Sequence, residues 1–172
     1  YGEGYPSENS KNMCPLTKRE SIMTNEKFIK YYNPTDTFQY MNPNPDAKNK
    51  KTLVWDRGDC VIRAIALSIA CSWLEAFDFT VEKGRRDYCN QNDGRYLRKW
   101  LLENGATWMA VKAEKGKKRM TATDFAQTHK EGHFIISLAS HECACVDGKI
   151  LDTWNCGEKC VVGYYDMSNF KL

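Results

Sequence analysis

The stretch Asp59-Cys-Val-Ile-Arg-Ala-Ile-Ala-Leu-Ser-Ile-Ala-Cys71 is apolar on almost every side, and its one interior charge is Arg63. A helix of this composition belongs inside a domain, because it offers no polar face to water. Asp59 is a residue type that caps helix starts. The sequence therefore predicts a buried central helix with Cys60 in its first turn.

The chain beyond this helix predicts three more helices and several strands. A second helix is capped by Ser72, a third covers 94–104, and a short fourth begins at Thr121. Asp147-Gly148 is a strong signal for a tight hairpin. The predicted strands are 107–111, 133–139, 141–146, 149–154 and 161–165. Helices followed by strands indicate an α+β fold, with the buried helix packed on a C-terminal antiparallel sheet.

The N-terminal part differs from this domain. Residues 1–37 are polar and interrupted by prolines, and they predict an extended or partly disordered arm with one helical pattern at 21–30. Residues 38–172 form the single predicted domain. No apolar run approaches the roughly 20 residues of a membrane span, so membrane insertion is not expected. The formal charge of +3 is mild and gives no reason to expect a nucleic-acid partner.

The eight cysteines favour reduced thiols. Their even number would permit disulfides, but a chain with strong helix and strand patterns does not need them to fold. Cys60, Cys71 and Cys145 also lie in apolar stretches, where a reduced cysteine behaves as a small hydrophobic residue. We therefore expect a reducing, cytoplasmic-type environment.

Cys60 is the candidate nucleophile. Only the thiolate attacks, and the N-terminal turn of a helix lowers a thiol pKa through its amides and dipole. None of the other seven cysteines has this location. A nucleophilic cysteine also needs a base, and the base needs an orienting group.

The hairpin supplies both partners. With a two-residue loop at 147–148, His141 and Asp152 are diagonal neighbours on one face, roughly 7 Å or less between Cβ atoms. Trp154 then faces His141 and shields it from water. The sequence thus predicts His141 as general base and Asp152 as its orienting group. The residues sharing this face are His141, Cys143, Cys145, Ile150, Asp152 and Trp154.

These features together resemble the papain-like cysteine peptidase superfamily. Over about residues 38–165 the chain is most similar to small proteins of bacteria and their phages, related in pattern to the peptidases that trim bacteriocin leaders. The motifs that carry the resemblance are Asn42-Pro-Asn-Pro45, Gly58-Asp-Cys-Val-Ile-Arg-Ala64, Ser140-His141, Val146-Asp-Gly-Lys149 and Asp152-Thr-Trp154.

The resemblance implies a cysteine hydrolase without a cofactor, which cleaves a peptide or isopeptide bond of a peptide or protein substrate through an acyl-thioester. Amidase or transglutaminase-type transfer uses the same triad. A catalytically weak or inactive interaction module, such as a phage structural or host-targeting protein, is the alternative from another class. The phage resemblance adds a phage particle as a second location.

One departure favours that alternative. Val54 stands six residues before Cys60, where the family usually has a Gln that stabilises the oxyanion. The backbone N–H of Cys60 offers one donor, and Asn44, Asn42 or Asp59 would have to supply or position another.

Two further patterns have alternative interpretations. Cys143, Cys145, Cys156 and Cys160, together with His141, suggest a zinc site, a less favoured interpretation because a Cys-x-Cys on a strand lacks the usual knuckle turn. A Cys156–Cys160 disulfide is equally disfavoured. The basic segment 112–119 is typical of a solvated loop, with phosphate contact as the alternative.

Overall fold

The computed structural model describes residues 32–45 and 58–172, which form four helices and one six-stranded sheet. The α+β class is therefore confirmed. The helices are α1 (Cys60–Ser68), α2 (Trp73–Asp87), α3 (Gly94–Glu103) and α4 (Ala122–Thr128). The strands are β1 (Phe38–Tyr40), β2 (Thr107–Ala110), β3 (His133–Leu138), β4 (His141–Val146), β5 (Lys149–Asp152) and β6 (Val161–Asp166).

Some predictions lie outside the described residues, namely the helical pattern at 21–30, most of the arm 1–37, and Val54. Among the described helices, none combines the length and apolarity that crossing a membrane requires.

The sheet has the strand order β1-β5-β4-β3-β6-β2. Strands β2 to β6 pair antiparallel, as predicted. The prediction of a wholly antiparallel, C-terminal sheet was wrong at one edge, where β1 pairs parallel with β5 through Phe38 and Ile150. Phe38 is fully buried, so an apolar contact holds this short strand in place.

Local signals account for the helix boundaries. Ser72 and Glu75 form a reciprocal capping box at the start of α2, and Thr121 and Asp124 form another at α4. Helix α1 is buried on nearly all sides, as its composition predicts. It packs across β3, β4 and β5 and against α2.

The sheet separates two apolar cores. On one side α1, α2 and α3 pack on the sheet around Ile135 and Tyr165. On the other side Phe125 of α4 covers Phe134 and Ile136. The alternation of Phe134, Ile135 and Ile136 between the two sides follows from the two-residue period of a strand.

The β4–β5 hairpin has the predicted register, with Val146 opposite Lys149 and Cys145 opposite Ile150. Asp147 and Gly148 both have positive φ, at 46° and 75°, as a type I′ turn requires. Strand β5 ends at Asp152, two residues earlier than predicted.

Candidate active site

Cys60 is the first residue of α1, at the helix end where partial positive charge accumulates. Gly58 precedes it with φ of +98°, a conformation that side chains rarely adopt, and so turns the chain into the helix. The thiol is partly buried. It therefore combines a helix N-terminus with access from solvent.

His141 links this thiol to Asp152. The Cys60 thiol lies beside the His141 imidazole, close enough for each group to shift the pKa of the other. His141 Nε2 lies 2.5 Å from Asp152 Oδ2, within hydrogen-bond distance. The structure thus brings together the three side chains that the sequence selected, from the start of α1, the start of β4 and the end of β5.

The electrostatics of this contact favour a charged pair. Burial is the largest influence on the Cys60 pKa and raises it, but hydrogen bonds from His141 and from the Glu142 backbone N–H, with the imidazolium charge, outweigh burial and lower it. Burial likewise lowers the His141 pKa, while hydrogen bonds with Asp152, Cys156 and Cys60 raise it to about 11. A lowered thiol pKa beside a raised imidazole pKa favours the thiolate–imidazolium pair over the neutral thiol and neutral imidazole.

Asp152 is 2% exposed and has partners on both carboxylate oxygens. Its Oδ2 faces His141, while its Oδ1 accepts a 2.7 Å hydrogen bond from the Thr153 backbone N–H. The guanidinium of Arg63 lies 3.6 Å from the same Oδ1. Two contacts on one oxygen orient the other oxygen toward the imidazole.

Comparison of the chain with protein-family models, with curated proteins and with solved structures found no significant match. The interpretation of the site therefore depends on its own geometry.

Asp59 does not cap the helix as predicted. It occupies the N-cap position, but its side chain makes no capping hydrogen bond and pairs with the Arg63 guanidinium instead. Its Oδ2 also accepts hydrogen bonds from Trp73 Nε1 at 3.2 Å and from Asn44 Nδ2 at 3.4 Å. A buried cation one turn along the helix thus outcompetes the local backbone amides for this carboxylate.

Asn44 and Asn42 support Asp59 in this arrangement. The Asn44 side chain donates to Asp59, and its backbone N–H donates to Asn42 Oδ1 at 3.1 Å. These contacts connect the described segment 32–45 to the start of α1. They indicate a positioning role for Asn44, and the donors that would stabilise an oxyanion remain predictions.

Trp154 lies beside the histidine although it is outside the β5 ladder. Its ring centroid is 5.2 Å from that of His141, with the planes inclined by 48°. Trp154 also packs against the second core. This position agrees with the predicted shielding of the His141–Asp152 hydrogen bond.

Cys156 is a neighbour of His141 that the sequence suggested only as part of the less favoured zinc site. It is fully buried, and its sulfur lies within 4.8 Å of a His141 ring nitrogen. The hydrogen bond with Cys143 lowers the Cys156 pKa, against burial, and the bond with His141 lowers it further. Residue 156 lies in an irregular segment after β5, where no periodic pattern signals such a contact.

Two further residues, Glu142 and Asn92, could not be assigned to the site from the sequence. The Glu142 carboxyl accepts a 2.7 Å hydrogen bond from Ser137 Oγ, and burial raises its pKa to about 7. Asn92 Oδ1 accepts a 3.1 Å hydrogen bond from the Val61 N–H, which makes it the capping group that Asp59 is not. Asn92 lies 31 residues from Val61, beyond the reach of a local capping rule.

One group could hold a metal ion. The donor atoms of His141, Asp152 and Cys156 lie within 4.8 Å of one another. Two ligand atoms on a tetrahedral zinc lie about 3.3 Å apart, however, and Nε2 and Oδ2 are only 2.5 Å apart. We therefore interpret this pair as a hydrogen bond between a base and its orienting group.

The four cysteines considered for zinc do not converge within the described parts of the chain. Cys143, Cys145 and Cys156 are buried in the second core, whereas Cys160 is exposed on a bridge to Thr121. Cys156 and Cys160 are both free thiols, so the disulfide considered from the sequence is not formed.

Proposed function

We propose that the protein is a papain-like cysteine hydrolase that cleaves a peptide or isopeptide bond. The series of adjacent side chains from Cys60 through His141 to Asp152, with its hydrogen bond between His141 and Asp152, carries the proposal. Nucleophile, base and orienting group in series are what thiol acyl chemistry requires. The papain-like assignment is supported by the nucleophile at the start of a buried helix and by the base and orienting group on an antiparallel hairpin.

In the first half of the proposed reaction, the Cys60 thiolate attacks the carbonyl carbon and forms a C–S bond. The C–N bond then breaks, and the leaving amine takes the proton of the His141 imidazolium. Asp152 stabilises the imidazolium until that transfer and fixes the plane of the ring. The product on Cys60 is a thioester.

In the second half, His141 removes a proton from an attacking water. The hydroxide adds to the thioester carbonyl, the C–S bond breaks, and the acid is released as the thiolate is restored. An amine attacking in place of water would give transferase chemistry with the same residues. Hydroxylamine in the assay distinguishes the two outcomes, because a transferase forms the hydroxamate in preference to the acid.

The N-terminus of α1 offers donors for the oxyanion of the tetrahedral intermediate. The first amides of a helix have no partner within the helix, and they point out of its N-terminal end. The Val61 amide is already bonded to Asn92, which leaves the Cys60 amide as the proposed donor. Removing one such donor typically costs about 10²–10³ in kcat.

Alkylation kinetics test the proposal. The protein is treated with iodoacetamide between pH 5 and 9, and the labelling rate of each cysteine is measured by peptide mass mapping. Cys160 is the internal control, because it is an exposed free thiol that lies on a bridge to Thr121, apart from His141 in the fold. We expect Cys60 to react faster than Cys160 below pH 7, although it is less exposed, and to lose that advantage in His141→Ala.

Peptide cleavage is the second measurement. A mixture of unstructured peptides is incubated with the wild type and with Cys60→Ala, and new termini are identified by mass spectrometry. Termini that appear only with the wild type support hydrolysis. Equal labelling of Cys60 and Cys160 together with no new termini would instead indicate the non-catalytic interaction module.

A further inference from the structure

The loop between β2 and α4 borders a cavity of about 400 Å³. Its cationic residues are Lys112, Lys117, Lys118 and Arg119, and one acid, Glu114, accompanies them. The remaining wall is largely apolar, formed by Val111, Met120, Ala139, Val161 and Val162, with Cys160. The cavity thus combines an apolar floor with a basic rim.

This cavity lies at the same end of the sheet as the catalytic triad. Leu138 pairs with His141 on one side and with Val161 on the other. Adjacent strands are about 4.8 Å apart, so the cavity wall at Val161 lies about 10 Å from the His141 backbone. Ala139, on the same wall, is two residues before His141 in the chain.

Most of the positive charge on the rim has no ion-pair partner among the described residues, although Lys118 lies near enough to Asp124 to lower the pKa of that carboxyl. Lys117 pairs with Glu114 at 2.6 Å, but Lys112, Lys118 and Arg119 form no ion pair with any residue in 32–45 or 58–172. On α2 and α3, by comparison, Arg86, Arg95 and Lys99 are each paired with a carboxylate, while Lys83 and Arg98 lie over aromatic rings. At physiological salt the charge of the rim cations acts over about 8 Å, which is enough to attract a charged ligand at the cavity.

We propose that this cavity is a substrate subsite that binds an acidic residue of the peptide cleaved at Cys60. The proposal rests on the proposed hydrolase function and names its substrate class. An extended chain advances about 3.3 Å per residue, so 10 Å places the acidic residue about three residues from the bond that is cleaved. Lys112, Lys118 and Arg119 bind its carboxylate, and the apolar floor holds neighbouring side chains.

The cavity wall favours a peptide over a nucleic acid. Proteins that bind single strands combine cationic grooves with aromatic side chains on which the bases stack. The cavity lining contains no aromatic side chain. An apolar floor of valines and methionine fits peptide side chains, while the rim fits a carboxylate.

Paired electrophiles test the subsite without a known substrate. Chloroacetyl peptides of two to four residues, ending in Glu or in Gln, are reacted with Cys60. Chloromethyl ketones of the same peptides are also reacted with Cys60, and they place the peptide chain on the opposite side of the thiol. The measured quantity is the ratio of the Glu rate to the Gln rate. In the wild type we expect a ratio of about 5 or more for one direction at a length near three residues, falling toward 1 in 0.5 M NaCl.

Charge reversal within the loop supplies the matched control. We expect Lys118→Glu or Arg119→Glu to reduce the ratio to 1 or below. Lys115→Glu should leave it unchanged, because Lys115 is exposed in the same loop but does not line the cavity. The rate with plain chloroacetamide shows whether a variant alters the thiol itself, and the ratio cancels that effect.

Failure of the subsite and failure of the enzyme give different results. A reactive Cys60 with equal Glu and Gln rates, or an equal loss in Lys115→Glu and Lys118→Glu, would overturn the subsite and leave the hydrolase standing. If Cys60 reacts no faster than Cys160, both the hydrolase function and the subsite are contradicted. Cys60 could show no preference for Glu peptides while oligothymidylate blocks its labelling. That result would overturn the subsite and indicate that the loop binds nucleic acid.

Discussion

Two groups of charged side chains differ sharply in their surroundings. One covers the outside of α2 and α3 and consists of Arg86, Asp87, Lys99 and Glu103. The other lies under the active site and consists of Asp59, Arg63, Asp152 and His141. The Arg86 side chain is 44% exposed and that of Arg63 only 6%. Because water screens the outer group but not the inner one, similar pairings have different consequences.

The inner group alternates in sign along its length. Asp59 pairs with Arg63, Arg63 reaches Asp152, and Asp152 binds His141, which meets the Cys60 thiolate. Burying such charges is costly, and hydrophobic residues of similar volume would often give a more stable core. A fixed chain of charges that ends at the nucleophile is therefore better explained by chemistry than by stability.

Arg63→Met should have the largest effect. It leaves two buried carboxylates without their cation, and breaking a buried pair in this way typically costs about 3–5 kcal/mol. We expect a loss near 3 kcal/mol in the free energy of unfolding, measured with urea, together with slower Cys60 alkylation in the folded fraction. Arg86→Met is the matched control, and its effect should be far smaller. Equal losses in the two variants would contradict the distinction between the groups.

Asp152→Asn should follow in size. It removes a hydrogen bond that raises the His141 pKa to about 11, so the imidazole loses its proton at lower pH and the thiolate loses its partner. We expect Cys60 alkylation at pH 6.5 to slow by about tenfold or more, since one pKa unit is about 1.4 kcal/mol. Asp87→Asn, in the outer group, should leave that rate unchanged.

The same variant makes a pH prediction for stability. The His141 pKa is about 11 in the folded protein against 6.5 for the free side chain, so its contribution is complete below pH 6.5 and is lost as pH rises toward 11. Urea titrations should show this decline in the wild type and a weaker one in Asp152→Asn. An identical pH dependence of stability in the two proteins would show that the Asp152 carboxylate does not raise the pKa of His141.

The helices and the hairpin could be predicted because their signals are local. Ser72 and Glu75 are three residues apart and cap α2 by themselves, and Asp147-Gly148 forms its turn without distant partners. The hairpin register then determined which face His141 and Asp152 share. The contact between His141 and Asp152 was therefore accessible from the sequence once the turn was recognised.

The residues that support the triad could not be predicted, because their contacts are tertiary. Strand β1 has three residues, too few for an alternating pattern, and it is held by parallel pairing with β5 and by the buried side chain of Phe38. Asp59 was assigned a capping role that the Arg63 guanidinium overrides. Cys156 reaches His141 from an irregular segment, and the sequence suggested that approach only through a disfavoured zinc site.

Asn92→Ala tests the capping of α1 and should have a moderate effect. Losing a side-chain cap costs about 1 kcal/mol, and here the uncapped Val61 amide lies beside the nucleophile. Ser72→Ala removes the comparable cap of the outer helix α2. We expect similar losses of unfolding free energy in urea, but a change in the Cys60 alkylation rate only in Asn92→Ala. A changed rate in both would indicate a general loss of order.

Glu142→Gln should have the smallest effect and the clearest sign. The carboxyl has a pKa of about 7, and its negative charge raises the pKa of Cys60. The variant should therefore shift the pH dependence of Cys60 alkylation to lower pH, and it should lose an inflection near pH 7. Glu131→Gln, which changes an exposed carboxyl at the far end of β3, is the control and should retain both features.

The pH dependence of stability gives an independent test of the raised Glu142 pKa. The Glu142 pKa is raised from 4.5 to about 7, so the folded state holds its proton more tightly than the unfolded chain does. Wild-type stability should therefore fall as pH rises from about 4.5 to 7, and Glu142→Gln should remove that decline. In Glu142→Gln, the decline in stability between pH 4.5 and 7 could persist although the pH dependence of Cys60 alkylation shifts. That result would mean that Glu142 acts on the thiol from an exposed position, and that Glu142 does not belong to the buried charged group of Asp59, Arg63, Asp152 and His141.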